Sequence, residues 1–212
     1  MGTLMNANEK EASRVEAFSD GVFAIAITLL ILEIKVPHLS KDASNADLIR
    51  AVLAEWPSFL AFLLSFVAIL IMWVNHHGFF KLLRSVDSRF LFANGFLLLL
   101  IIFVPFPTAI LAEYIDQPSA NVAAVVYSGT YVLISAAYNL LFYSAATNRR
   151  LIRHDVSDEH LRKIRKAYRF GFLVYLAAVT LTWFNVYAGL VVNLVLWLYW
   201  TKLDYQPKQS IS

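Results

Sequence analysis

The sequence predicts an all-α membrane protein, a single domain over residues 1–212 with six transmembrane helices per subunit. Three observations carry that prediction. Hydrophobic residues make up 59% of the 212 positions and charged residues 16%, against a soluble norm of about 45–50% and 25%. With a mean hydropathy of +0.60, a chain of this size cannot hide its apolar surface in one aqueous core, so lipid must be solvent for much of it. The apolar residues also run in long uncharged blocks, and the basic residues sit almost entirely between alternate blocks. A soluble enzyme, a nucleic-acid-binding domain and a disordered scaffold are thereby excluded. With no cysteine there is no disulfide framework, thiol chemistry or Cys-ligated metal site.

Charges delimit the helices. The first, residues 17–36, has an unbroken uncharged run of only 12 positions, Gly21 to Leu32, or about 18 Å of helix. The second (55–80) contains 25 uncharged residues from Trp56 to Phe80, and the third (89–112) contains 23 from Phe90 to Ala112. The fourth (120–148) lies within the 32 residues Gln117 to Asn148. About 20 apolar residues cross a bilayer, so these three suffice. The last uncharged run, Phe170 to Thr201, is 32 residues, about 48 Å as one helix. Its polar break Thr182-Trp183-Phe184-Asn185 divides it into a hairpin of helices at 163–182 and 185–202, the first reaching back into the amphipathic stretch Leu161 to Arg169. Pro105 and Pro107 should kink the third helix or end its regular part. Ser40 to Asp47 reads as a short polar loop.

Placement of Lys and Arg separates six spans from five. With a cytoplasmic N-terminus, Lys10, Arg14, Lys81, Arg84 and Arg89, the eight basic residues between Arg149 and Arg169, and Lys202 and Lys208 all lie inside. Only Lys35, Lys41 and Arg50 lie outside. Five spans would move the tail lysines outside, against the positive-inside rule, so both termini are expected to be cytoplasmic. The first 16 residues lack a basic n-region, and no small-residue cleavage site follows the first apolar run, so that helix is expected to remain in the mature protein. The connector Arg149 to Arg169 is basic either through positive-inside retention or because it meets anionic lipid heads.

The first helix is short of apolar length, so Ser19, Asp20, Glu33 and Lys35 approach membrane depth. Such residues face a bundle interior or a water-filled cavity. Phe18, Val22, Ile25, Leu29 and Leu32 make one stripe at spacings of three and four, with Thr28 beside it. Gly21, Ala24 and Ala26 permit close helix approach. A tightly packed central helix and a helix lining an aqueous path both fit.

Trp73-Val74-Asn75-His76-His77 closes the second helix on the side where Arg14, Ser19 and Asp20 open the first, and Asn94 of the third helix can join them. Adjacent histidines point about 100° apart on a helix, and no carboxylate stands at i+4, so the expectation is a buried polar cluster and no metal. The chain has no G-x-S-x-G, H-E-x-x-H or Walker loop, hence no catalytic residues are expected. Its seven glycines are scattered, so no carbonyl-lined filter loop exists.

Arg14-Val15-Glu16-Ala17-Phe18-Ser19-Asp20, followed by Gly21 to Leu30, closely resembles the R-x-x-x-F-S-D signature of the transmembrane protein 175 family, the lysosomal and prokaryotic potassium-permeable channels. Trp73, His77, Asn94 and the six spans extend the resemblance over nearly the whole chain. One copy of the six-helix unit is similar to the prokaryotic members, and the resemblance implies a homotetramer in the bilayer of the prokaryotic plasma membrane. It implies a pore lined by four first helices, with Ile25 as hydrophobic constriction, Leu29 and Leu32 as further pore-facing layers and Thr28 as the layer linked to potassium preference. Arg14, Ser19, Asp20, Trp73 and His77, with Asn94, would anchor the helix end. The implied function is a potassium-selective channel for monovalent cations, with K+ as the permeant ion, no cofactor and no nucleic-acid partner. The alternative is a proton-coupled carrier or small-solute transporter using Asp20 and the membrane histidines.

Overall fold

The computed structural model describes residues 7–205, and Lys208, counted above with the tail charges, lies outside them. The helices are α1 (Ala7–Leu29), α2 (Asn45–Ala54), α3 (Trp56–Phe80), α4 (Ser88–Phe103), α5 (Pro105–Tyr114), α6 (Ala120–Ala146), α7 (Asp158–Phe184) and α8 (Val186–Trp200). A 3-10 turn, Leu30–Glu33, prolongs α1. Five stretches are long and apolar enough to cross a membrane: Ala7–Glu33, Trp56–Phe80, Ser88–Tyr114, Ala120–Arg149 and Asp158–Phe184. Helix α8, apolar but only 15 residues long, falls short of that length and lies where the sixth span was expected.

Local chemistry sets the boundaries. Pro105 has no N–H to continue α4, so the helix breaks at Val104 and resumes as α5. The Val104 carbonyl is still used: it accepts from Thr108 N at 3.1 Å and from Thr108 Oγ1 at 2.8 Å. Ser157 caps α7, accepting from His160 N at 3.2 Å, so that helix starts at Asp158, five residues before the expected 163. Asn185 is both the extended hinge between α7 and α8 and the cap of α8, accepting from Ala188 N at 2.9 Å. At that hairpin a Cβ on Gly189 would overlap Thr182, so only glycine allows the two helices so close.

The expected loop Ser40 to Asp47 gives way to α2 at Asn45. Ser44 and Asp47 form a reciprocal capping box, and the two Ser44 bonds hold the Asp47 carboxyl below the usual carboxylate range. No residue of α2 is buried, and Leu48, Ile49, Val52 and Leu53 are exposed along it.

The core gathers around α6, where Tyr127, Tyr131 and Leu141 are fully enclosed. Because lipid supplies little drive for helix association, hydrogen bonds between helices contribute to it. Ser65 of α3 bonds Thr108 of α5 (2.6 Å) and Tyr127 of α6 (3.1 Å). Asn193 of α8 donates to Ser128 of α6 at 2.9 Å. After α8 the chain turns back and seats Tyr205 against α3. Its hydroxyl donates to Asn75 Oδ1 at 3.0 Å and meets the Tyr168 hydroxyl at 2.8 Å, while its ring lies where a Cβ on Gly78 would stand. The two basic loops also pair: Arg84 N donates to Leu151 O and Arg153 N to Leu82 O, both at 2.9 Å.

Candidate functional site

Helix α1 has one covered face and one bare face. It packs on α3 and α4, burying Ala12, Ser19, Phe23, Ala26 and Leu30. The opposite side carries Phe18, Gly21, Ala24, Ile25, Thr28, Leu29 and Leu32, all exposed, at helical spacing. Ile25 is 55% exposed, Leu29 38% and Leu32 71%. Apolar side chains this open in the middle of a membrane helix are left for lipid or for another subunit to cover. Val22, placed in the same stripe from spacing, is half-buried, and Ala26 belongs to the covered face.

Thr28 lies on the bare face, and its hydroxyl donates to the carbonyl of Ile25 at 2.8 Å. The donor is thereby occupied within the helix. The lone pairs of Oγ1 remain on the exposed side, where they can only accept a hydrogen bond or coordinate a cation.

The covered face is tied down by polar contacts from one turn of α3. Trp73 Nε1 donates to Asp20 Oδ1 at 2.8 Å. His76 Nε2 lies 2.9 Å from Asn94 Oδ1, Asn94 Nδ2 donates to Ser19 Oγ at 2.9 Å, and Ser19 Oγ donates to Val15 O at 2.9 Å. Because the Asn94 oxygen is an acceptor, Nε2 of His76 carries the hydrogen in this network. The His76 ring is held between Phe23 and Phe80, at centroid distances of 5.2 and 4.7 Å, and its Nδ1 has no partner among the described residues. His77 Nδ1 is 2.7 Å from Glu16 Oε1, and its ring stacks on Trp73 at 6.0 Å.

Of the six polar residues singled out from the sequence, Ser19 with Asn94 and Asp20 with Trp73 are thus in direct contact. His77 stands beside Trp73 but binds Glu16, and it is His76 that continues the Ser19–Asn94 chain. Arg14 is exposed and makes no hydrogen bond or ion pair among the described residues. Glu16 is the residue that sequence reasoning missed, and His76, named with its turn, was not assigned to the cluster. The signal for Glu16 was present, since it precedes Asp20 by four positions and so shares its helix face. No group of three or more His, Asp or Glu able to hold a metal occurs among the described residues.

The family model described as the endosomal/lysosomal potassium channel TMEM175 matches residues 14–105. A potassium channel of Chamaesiphon minutus is 49% identical over 191 residues, 90% of this chain and 94% of that one. A potassium channel of Streptomyces collinus is 42% identical over 191 residues, 90% of this chain and 91% of that one. The crystal structure of a lysosomal potassium-selective channel TMEM175 homolog from Chamaesiphon minutus matches with a TM-score of 0.81 at 48% identity, covering 91% of this chain and 97% of that chain.

Proposed function

Because the chain belongs to the TMEM175 family, we propose that it is a potassium-selective cation channel in which four copies line one pore with the bare face of α1. The observation that carries this reading is the continuous uncovered stripe through Ile25, Thr28, Leu29 and Leu32, on a helix whose other face is anchored by hydrogen bonds.

In this arrangement four Ile25 side chains converge and close the path by dewetting, without a mechanical plug; Leu29 and Leu32 extend the apolar lining. Four Thr28 oxygens form a ring of acceptors whose protons are committed to the helix, so each presents lone pairs to a dehydrating cation. Potassium, with its smaller dehydration cost, passes more readily than sodium where few oxygens replace the hydration shell. Trp73, Asn94 and the two histidines hold α1 in register and stand behind the pore wall. The subunit lies in the prokaryotic plasma membrane with both termini cytoplasmic, the side on which the basic loops collect. K+ is cargo in this scheme and no cofactor takes part.

Purified protein in liposomes tests it. Potassium efflux should be passive, with a reversal potential set by the potassium gradient and a smaller sodium permeability. Flux that saturates and moves only with an imposed proton gradient would replace the channel by a proton-coupled carrier.

A further inference from the structure

We propose that the groove between α6 and α7 at the basic end of the bundle is a binding site for one anionic glycerophospholipid, its phosphate held by Arg165 and Arg169. The groove has a volume of about 560 Å³, and Asn139, Leu140, Phe142, Tyr143 and the two arginines line it.

Charge bookkeeping around the groove selects these two cations. The nearby carboxylates are engaged elsewhere: Asp158 with Arg149, Asp87 with Arg150, Asp155 with Arg153 and Glu159 with Lys163. Among the described residues Arg165 and Arg169 have no carboxylate partner. They are four residues apart on one face of α7, about 6 Å along its axis. The Arg165 guanidinium is seated over the Phe142 ring, 5.8 Å from its centroid, which holds it at the groove wall. A second groove, between α4 and α6, carries Arg89 and Arg150, but Asp87 takes Arg150 at 2.7 Å, which among the described residues leaves only Arg89 there without a carboxylate.

The surface below the arginines identifies the occupant as a lipid. The exposed face of α7 changes from Arg165 and Arg169 to Leu173 (63% exposed) and Leu176 within two turns. On the α6 side Leu140 and Tyr143 are exposed beside the arginines, and Leu133, two turns back along α6 at the level of Leu173, is exposed as well. A phosphate with acyl chains attached satisfies both halves, placing its headgroup on the guanidiniums and its chains along the leucines. A free anion would leave the apolar half uncovered.

Native mass spectrometry of the detergent-solubilised full chain in an equimolar mixture of phosphatidylglycerol and phosphatidylcholine tests the site. Wild type should retain phosphatidylglycerol roughly tenfold over phosphatidylcholine, because the choline of the latter cancels the phosphate charge that two arginines would otherwise attract. R165Q/R169Q should abolish that preference, whereas R162Q/K166Q, the same charge change on the same helix outside the groove, should keep most of it. Where the first double variant does not assemble, R169Q alone should lower the preference about threefold. Equal retention of the two lipids by wild type overturns the proposal. So do equal losses in the two double variants, which mean diffuse attraction, and displacement of the lipid by millimolar inorganic phosphate, which means a free-anion site. An unchanged preference in R169Q overturns it as well.

Discussion

Replacing Asn94 by Leu should unfasten α1, because Asn94 is the middle link of the only polar chain that runs from α1 through α4 to α3 among the described residues. Its side chain is 3% exposed and makes two hydrogen bonds of 2.9 Å. Bonds between membrane helices are worth about 0.6 kcal/mol on average and up to about 1.7 kcal/mol. Losing both removes about 1–3 kcal/mol. Ser19 is left satisfied, since it still donates to Val15 O. His76 is not, because its Nδ1 already lacks a partner and its Nε2–H would lose the one it has. A buried donor left unmet costs about 1–3 kcal/mol, a penalty that already contains the lost His76 bond; its middle value plus an average Ser19 bond of about 0.6 kcal/mol puts Asn94→Leu at about 2–3 kcal/mol. His76→Phe alone should cost about 1 kcal/mol, because the ring keeps its seat between Phe23 and Phe80 while only the Asn94 oxygen is orphaned. The double variant removes donor and acceptor together and should return to within about 1 kcal/mol of wild type, a coupling of roughly 2 kcal/mol. Reversible unfolding in mixed detergent micelles measures all four proteins. Additive losses, or an Asn94→Leu change under about 0.5 kcal/mol, would show that this chain does not hold α1.

Ile25→Asn should wet the constriction and raise potassium current in bilayer recordings; unchanged current in an intact assembly would put the gate elsewhere. Thr28→Val keeps the side-chain shape but removes the oxygen, and should lower potassium-over-sodium preference under bi-ionic conditions, while Thr28→Ser should retain more of it. Reversal potentials identical in wild type and Thr28→Val would remove Thr28 from the selectivity mechanism. Gly189→Ala places a methyl against Thr182 and should destabilise the α7–α8 hairpin by about 1–3 kcal/mol, measured by the same unfolding assay.

What was legible in the sequence divides by the range of the interaction. The long helices follow from uncharged run length, and the break at Pro105 and the hinge at Asn185 follow from local chemistry, so both could be read in place. Helix α2 was missed although the sequence carries its signals: Leu48, Ile49, Val52 and Leu53 recur at helical spacing, and Ser44 and Asp47 spell its capping box. The cluster at the end of α1 was read as to its membership by turn and not by residue. His76 and His77 are neighbours in sequence, but one faces Asn94 and the other Glu16. Which does which depends on the rotation of α3 about its axis, a property of packing against α1 and α4. Arg14 and Asp20 were expected in one cluster with Trp73, His77 and Asn94, but only the indole of Trp73 takes the Asp20 carboxylate and Arg14 stays exposed.

The brevity of α8 has a consequence for the membrane itself. Its 15 residues reach roughly 22 Å, while the hydrocarbon slab is about 30 Å thick. Tyr187 and Tyr199, exposed near its two ends, stand about 18 Å apart along the axis, and such aromatic rings settle at the headgroup level. A bilayer meeting this flank of the protein must therefore pinch. Elastic deformation costs fractions of a kcal/mol per Å of mismatch, so a shortfall of about 8 Å amounts to a few kcal/mol per copy. Acyl-chain length thus becomes a thermodynamic variable for this protein, and thin membranes are the ones in which α8 sits without distorting its host.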